Sequence, residues 1–243
     1  MHIDEYRKLA ETEDRMWYFH TLNRRMLIPL DSWRGQPAKV LDAGCGTGGL
    51  IRALQKYSPD WSITGLDFSP IACAYARETT RADIVEGSIT ELPFATESFD
   101  ILTCANVISQ VKDGTSAIKE FARVLRPNGV LVINVAAYQW MWSYHDDTCE
   151  TQHRYRRSEL VKMIRSFGLL PLQASYANMF VFPMIIARRK IFPPSHATSD
   201  VQTYPSMIES LFGGIAQLEQ AWLQRGASFP TGCSVFVSAK KIE

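Results

Sequence analysis

The stretch VLDAGCGTGG (residues 40–49) decides the fold of this 243-residue chain. A short apolar run leads into closely spaced glycines, and an amphipathic stretch of helical length follows. Glycines let the backbone turn sharply and let a ligand approach bare main chain. Two spacings are satisfied at once: G-x-G-x-x-G from Gly44, a dinucleotide fingerprint, and D-x-G-x-G-x-G from Asp42. Both predict a β-strand, a ligand-binding turn and a helix.

The remainder of the chain alternates short β-branched runs with amphipathic stretches of helical length. Such alternation predicts a parallel sheet that is covered by helices on both faces. Ser69 and Pro70 favour a helix start, and a later helix is expected to begin after Ser158 and end at Gly168. The predicted strands are 39–43, 62–67, 82–87, 99–105, 130–136, 169–176 and a last one within 233–241.

Both ends of the chain add helical segments to this pattern. Residues 1–36 predict a helical extension, and about 177–230 predict an insertion with helices near 178–191 and 205–225. The two strands on either side of that insertion suit an antiparallel pair at the sheet edge, which is not how a plain doubly wound dehydrogenase ends.

Composition limits the class of protein and its partners. The hydrophobic content of 46% predicts a folded domain, and the net charge of +1 gives no field to recruit nucleic acid. Five scattered cysteines indicate reduced thiols rather than a disulfide framework. The most lipophilic stretch, 179–187, is about half the length of a membrane span. We therefore expect a cytoplasmic protein with no transmembrane segment.

Four motifs in order resemble those of the class I S-adenosyl-L-methionine (SAM)-dependent methyltransferases, over roughly residues 38–176. VLDAGCGTGG matches their first motif, and GLDFSP matches the acid at the end of their second strand. GSITELPFATESFDILTCANVI resembles their third and fourth strands, and RVLRPNGVLVINV their turn into the fifth. The resemblance implies an α/β, Rossmann-like seven-stranded sheet with an antiparallel last strand and an N-terminal helical lid. It also implies SAM as cofactor and S-adenosyl-L-homocysteine as product.

The resemblance also assigns cofactor-binding residues. SAM has no phosphate but carries a cationic methionine end, so an acid at the start of the loop, Asp42, is expected to organise the loop and face that end. By the same resemblance, Phe68 packs on adenine, although a core position is its alternative, and Ser88 is alternatively a turn residue. The implied set is Asp42, Gly44, Cys45 and Gly46 beside the methionine and ribose, Asp67 on the ribose hydroxyls, Phe68, Ser88 and Ile89 at adenine, and Asn106 near the methionine amino group.

The aromatic segment MWYFHTLNRRM (16–26) resembles the helix that precedes the first motif in a group of bacterial small-molecule methyltransferases. In that group this helix covers the active site. We expect Tyr18 to touch substrate or cofactor and Arg25 to pair with the methionine carboxylate. The alternative is a helix that packs its apolar stripe on the sheet and leaves the arginines in water.

The segment WSYHDDTCETQHRYRR (142–157) follows the fifth strand and resembles the same group more loosely. His145 with Asp146 as its orienting carboxylate, or His153, is a candidate general base. A structural role for both histidines stays open, and a metal site is disfavoured because no zinc-ligand spacing is present. Many relatives carry a histidine after the fourth strand where this chain has VISQV, which moves the search for a base to His145 and His153.

These expectations define one methyltransferase domain over 1–243, with a lid at 1–36, a SAM-binding half at 37–137 and a substrate-binding half at 138–243. The leading hypothesis is methyl transfer to a small, hydrophobic or aromatic metabolite by a monomer or homodimer. A lipid-linked or sugar methyltransferase of envelope biosynthesis, a non-catalytic SAM-binding module and a dehydrogenase are the alternatives.

Overall fold

The computed structural model describes residues 3–194 and 199–242. The predicted domain boundaries at 1 and 243, and the part of the predicted insertion at 195–198, lie outside the described residues. Among the described residues, no helix is long and apolar enough to cross a membrane.

The strands lie close to where the sequence predicts them. The fifth begins earlier than expected, at Leu125, and the third is two residues shorter. The seven strands are β1 (Lys39–Ala43), β2 (Ser62–Asp67), β3 (Asp83–Glu86), β4 (Phe99–Ala105), β5 (Leu125–Ala136), β6 (Leu169–Ala177) and β7 (Ser234–Lys241).

The helices include two from the N-terminal extension and two from the insertion. They are α1 (Ile3–Thr12), α2 (Trp17–Leu27), α3 (Gly49–Tyr57), α4 (Pro70–Thr79), α5 (Gly114–Val124), α6 (Tyr144–Thr148), α7 (Arg157–Arg165), α8 (Phe182–Ile186) and α9 (Ser206–Gln224). Short 3-10 turns span Ile28–Trp33, Ile108–Gln110 and Gln139–Met141, and a π-helical turn, Ala187–Ile191, continues α8.

Local capping explains the start of α4 and both ends of α7. Ser69 caps α4 by accepting the Ala72 N–H at 3.4 Å, and Gly168 ends the α7 turn with a φ of +73°, both as predicted. The predicted start of α7 after Ser158 was wrong. The helix begins at Arg157, because the Glu159 carboxylate accepts the Arg156 N–H at 3.2 Å and fixes the first turn one residue earlier.

The seven strands form one sheet in the order β3-β2-β1-β4-β5-β7-β6. β1 to β5 pair in parallel, and β7 lies antiparallel between β5 and β6, which confirms the predicted antiparallel last strand. Successive side chains alternate between faces: Val40 faces a core shared with α2 and α3, whereas Leu41 faces a core shared with α5 and α7. This alternation covers both faces and leaves the carboxyl ends of the parallel strands open.

Candidate functional site

A cavity of about 1320 Å³ opens at the carboxyl ends of the parallel strands. In open α/β sheets, ligands bind at this edge. Its lining runs from the glycine loop after β1, past the ends of β2, β4 and β5, to side chains of α2, α8 and α9. The cavity therefore joins the predicted cofactor loop to the predicted substrate-binding half.

The glycine loop is held in a conformation that needs glycine. Gly44 and Gly46 have φ values of +84° and +53°. A Cβ added at Gly44 would lie 2.2 Å from Val107 Cγ2, so the backbone there has no room for a side chain. The N–H groups of Gly44 and Cys45 donate to the Leu66 carbonyl at 2.7 and 2.9 Å, which ties the loop to the end of β2.

Asp42 lies under this loop, at the end of β1, and is 1% exposed. Its Oδ1 accepts a hydrogen bond from Thr103 Oγ1 at 2.8 Å, whereas its Oδ2 has no partner. Burial raises the pKa of Asp42 to about 7. A buried carboxylate oxygen without a donor is costly, so this position suits a ligand group that donates hydrogen bonds.

Asp67 and Phe68, at the end of β2, line the same cavity. Asp67 Oδ2 accepts the Gly46 N–H at 2.8 Å and Oδ1 accepts the Ser69 N–H at 2.9 Å. Burial raises the pKa of this carboxyl. Phe68 is 80% exposed and lines the cavity, so the alternative that it is a core residue is wrong.

Ser88 and Ile89 lie on a turn after β3 and also line the cavity. Ser88 Oγ is 2.8 Å from Thr90 Oγ1 and accepts the Thr90 N–H at 3.2 Å, a local turn contact. Ile89 is buried and supplies an apolar surface beside Gly87. Ser88 thus has a turn role, and its predicted contact with adenine stays a prediction.

Tyr18 and Asn106 meet in the middle of the cavity wall. Asn106, at a φ of +68°, donates from Nδ2 to the Tyr18 hydroxyl at 3.2 Å. Its Oδ1 accepts from Asn134 Nδ2 at 2.9 Å. Burial raises the pKa of Tyr18, so its hydroxyl stays protonated at neutral pH.

Arg25 lies behind this pair and is not among the cavity-lining residues. It is 1% exposed, and its guanidinium donates to Asn134 Oδ1 at 3.0 Å and to Asn178 Oδ1 at 2.6 Å. Its Nε has no partner, and burial lowers its pKa. The structure thus places this arginine in the protein interior rather than in water. The side chains of Asn134 and Asn106 connect it to the Tyr18 hydroxyl through hydrogen bonds. Its predicted contact with the methionine carboxylate stays a prediction.

Helix α1 closes over the glycine loop, in agreement with the predicted lid. Glu5, Tyr6, Leu9 and Glu13 line the cavity from this helix and the turn after it. Glu13 accepts hydrogen bonds from Thr47 Oγ1 at 2.8 Å and from Arg52 at 2.7 Å. Sequence reasoning missed Glu13, because its partners lie more than 30 positions away and no local pattern marks the contact.

The predicted pairing of His145 with Asp146 is not formed. Neighbouring side chains on a helix point about 100° apart, and both residues lie on α6. Asp146 Oδ1 instead forms a buried ion pair with Arg154 at 2.6 Å, and Oδ2 accepts the Ser143 N–H at 2.9 Å. Asp146 therefore fixes the start of α6 while lining the cavity.

His145 lines the cavity from α6. Its Nδ1 accepts the Asp200 N–H at 3.1 Å, and its ring lies near Cys149 Sγ. Burial and the nearby Arg189 lower the pKa of His145 to about 4, so the ring is neutral at pH 7. With Nδ1 accepting, the proton of the neutral ring lies on Nε2.

His153 lies outside the cavity lining. Its Nε2 is 2.8 Å from Glu159 Oε1, and its ring packs edge-on against Tyr155. A catalytic role for His153 stays a prediction. Among the described residues, no three histidine, cysteine or acidic side chains are grouped to hold a metal ion.

The far wall of the cavity comes from α2 and the insertion. Trp17 and Phe212 pack together with ring centroids 5.3 Å apart, and Met184 and Ile185 extend this apolar surface. Asp200 fastens the segment after α8, because it accepts hydrogen bonds from Arg188, Arg189 and Tyr144. This wall can hold an apolar or aromatic molecule.

Comparison with known proteins gives the same class as the fold. Residues 41–133 match the family model described as methyltransferase domain. The chain is 39% identical over 99 residues to the demethylmenaquinone methyltransferase of Staphylococcus aureus strain JH9, which covers 39% of this chain and 41% of that protein. The chain therefore spans about two fifths of the length of the curated relatives it matches.

Two solved structures share the fold over most of their length. Geranyl diphosphate methyltransferase in complex with SAM superposes with a TM-score of 0.65 at 16% identity, over 93% of this chain and 86% of that one. A TehB-like SAM-dependent methyltransferase of Corynebacterium glutamicum gives 0.56 at 18%, over 91% and 88%.

These findings confirm the resemblance inferred from the motifs. The fold is that of the class I SAM-dependent methyltransferases, with the seven-stranded mixed sheet of that class. Within it, the segment that matches the methyltransferase domain runs from β1 into β5 and contains the glycine loop, Asp67 and Asn106.

Proposed function

We propose that this protein is a SAM-dependent methyltransferase that methylates a small, hydrophobic or aromatic acceptor. One observation carries the proposal: a single cavity runs from the glycine loop after β1 to the apolar wall formed by α2, α8 and α9. A transferase that moves a group from one molecule to another needs both molecules in one water-excluding space. The names of the similar proteins support this acceptor class, since demethylmenaquinone and geranyl diphosphate both carry hydrophobic groups.

The residues of the cofactor side fit SAM. The unpartnered Oδ2 of Asp42 suits the cationic methionine end, and the glycine loop leaves bare backbone beside it. Asp67 would take the ribose hydroxyls, and the exposed ring of Phe68 offers a face for adenine. Ser88 and Ile89 would border the adenine, and Cys45 and Gly46 the ribose.

SAM, when bound, supplies an already activated methyl group, so the protein has to orient the acceptor and exclude water. Tyr18 and Asn106, hydrogen-bonded to each other between the two halves of the cavity, would position the reacting groups. The ion pair of Asp146 with Arg154 fixes the wall that carries His145.

An acceptor that must lose a proton needs a base, and His145 is the proposed one. Its ring is neutral at pH 7, but Nδ1 accepts the Asp200 N–H and would have to release it before taking a proton, and the depressed pKa makes His145 a weak base. This chemistry suits an acceptor whose own proton is acidic, such as a phenol, or one that needs no base.

The proposal includes a cytoplasmic location and a small-molecule partner. All five cysteines are free, which suits a reducing compartment. The net charge of +1 provides no field for a nucleic-acid acceptor.

Calorimetric titration with S-adenosylhomocysteine, with NAD as the control, tests the cofactor. We expect micromolar binding of S-adenosylhomocysteine and none of NAD. Transfer of a labelled methyl group from SAM to phenolic and isoprenoid acceptors then tests the activity. Binding without transfer to any acceptor class would favour a non-catalytic SAM-binding module, and binding of NAD alone would overturn the proposal.

A further inference from the structure

Helix α9 carries a stripe of large apolar side chains that face away from the protein. Met207, Leu211, Leu218 and Trp222 are 81%, 60%, 68% and 50% exposed. With Gly214, they fall within about 80° of one another around a helix of 100° per residue. The opposite side of α9 is already packed, since Ala216 and Leu223 are buried. The stripe is therefore an additional face that nothing in the described chain covers.

The stripe has the same spacing in both directions along the helix. Met207 and Trp222 lie equally far from the midpoint between Gly214 and Ile215, and so do Leu211 and Leu218. An antiparallel copy of the helix would therefore place Met207 against Trp222 and Leu211 against Leu218, twice. A twofold interface requires this kind of self-complementary surface.

The centre of the stripe permits a close approach of two helices. A Cβ added at Gly214 would meet nothing within 4 Å, so the helix backbone is open to a partner at this point. Small residues at a crossing point let two helix backbones come close together. The large side chains lie on either side of this point and would pack around the crossing.

The distribution of charged residues on α9 favours a second copy of the chain over a lipid surface as the partner of the stripe. The two charged residues within α9, Glu209 and Glu219, face inward: Glu209 accepts from Trp17 N–H and Tyr204 N–H, and Glu219 from Asn178 N–H and Phe180 N–H. The outward face of Ser206–Gln224 thus carries no charge that would repel a second copy. It also carries none of the cations with which a surface helix binds anionic lipids.

The apolar surface continues beyond α9. The exposed rings of Phe180 and Trp222 both lie against Phe229, with centroids 5.9 and 6.4 Å from it. The same helix faces the cavity through Ile208 and Phe212. We propose that two copies of this chain associate through antiparallel contact of their α9 helices, and that the contact supports the far wall of the cavity from outside. This inference does not depend on the proposed function.

Sedimentation equilibrium on the full chain tests the association. The wild type is expected to be a dimer at micromolar concentration, and Leu211→Glu and Leu218→Glu to raise the dimer dissociation constant at least tenfold. Ile242→Glu is the matched control, because Ile242 is 55% exposed after β7, where its N–H donates to the Gly168 carbonyl, and should leave the dimer intact. A monomeric wild type, or equal effects of all three changes, would overturn the proposal.

A cysteine cross-link tests the geometry without removing an apolar side chain. Gly214→Cys is expected to form a disulfide-linked dimer on oxidation, because residue 214 lies beside the twofold axis. Gly213→Cys is the control. Residue 213 also has open space for a side chain but faces the groove beside α2, so this variant should not cross-link. Equal cross-linking of the two would contradict the proposed axis. Wild-type monomer that sediments with phosphatidylcholine vesicles, in a manner abolished by Leu211→Glu, would replace the second copy with a membrane.

Discussion

At the scale of single residues, Asp42 gives the site a pH dependence. Its pKa of about 7 exceeds the ordinary 3.8, so the free protein holds a proton there up to neutral pH. A cationic methionine group prefers the ionised carboxylate. We therefore expect the affinity for S-adenosylhomocysteine to rise about tenfold between about pH 6 and pH 8, measured by calorimetry, and Asp42→Asn to remove this dependence.

The stability of the free protein should change in the opposite direction. A carboxyl whose pKa is raised on folding contributes stability at low pH that is lost as the pH rises through about 7. The melting temperature of Asp42→Asn relative to wild type should therefore increase from pH 4 to pH 8. A constant difference across this range would show that Asp42 is ionised throughout.

Phe68→Ala separates binding from folding. Stacking of a base on an aromatic ring contributes about 1–3 kcal/mol, so affinity for S-adenosylhomocysteine should fall about 5- to 150-fold. The melting temperature should stay near the wild-type value, because the ring is 80% exposed and stabilises little in the free protein. Unchanged affinity in calorimetry would remove Phe68 from the cofactor site.

The two candidate histidines predict different outcomes. His145→Ala should lower kcat more than His153→Ala, because the side chain of His145 lines the cavity and that of His153 does not. The pH–rate profile should show no limb near the ordinary histidine pKa, since that of His145 is depressed to about 4. A larger loss of kcat in His153→Ala would reverse this assignment.

Residue positions were predictable where a local motif fixes them. Asp42, Gly44 and Asp67 line the cavity as expected, because strand, turn and strand end all lie within a short stretch. The partners of Arg25 were not predictable. Asn134 and Asn178 lie 109 and 153 positions away. Their contacts with Arg25 depend on how α2 packs against β5 and the end of β6.

At the scale of secondary-structure elements, the buried carboxylate of Glu13, in the turn after α1, helps to hold this helix in place. Glu13→Gln keeps an acceptor for Thr47 but loses the ion pair with Arg52, so α1 should open more often. Faster hydrogen exchange in residues 3–12 and weaker binding of S-adenosylhomocysteine are expected. Asp14→Asn is the control, because Asp14 contacts the same arginine from a 66% exposed position and should change little.

Secondary-structure elements were predicted well where the pattern of apolar residues was clear. The strands of the parallel sheet are short apolar runs bounded by glycine, proline or aspartate, and apart from the start of β5 their bounds agree with the structure within one residue. The predicted helix near 178–191 begins later, at Phe182, and its second half, Ala187–Ile191, is a π-helical turn that continues α8. Asp200 holds both Arg188 and Arg189 there, a constraint that helical periodicity does not contain.

At the scale of the whole molecule, the two halves of the cavity should respond separately to mutation. Met184 lines the apolar wall of the cavity, the proposed acceptor side, and is 44% exposed, so Met184→Ala should cost little stability. We expect it to raise the KM for the acceptor and leave the affinity for S-adenosylhomocysteine unchanged, the reverse of Phe68→Ala. Equal loss of both in steady-state kinetics and calorimetry would mean that the cavity is not divided in this way.

The order of the strands has a consequence for synthesis of the chain. β7 follows the whole helical insertion in sequence, yet it lies between β5 and β6 in space. On the ribosome, β1 to β5 can pair as they emerge, whereas β6 has no neighbour until residues 234–241 have been made. The nascent chain can therefore pair β1 to β5 early and carries β6 as an unpaired strand until β7 has been made. We therefore expect chaperones that shield strand edges to bind the nascent chain mainly in that interval.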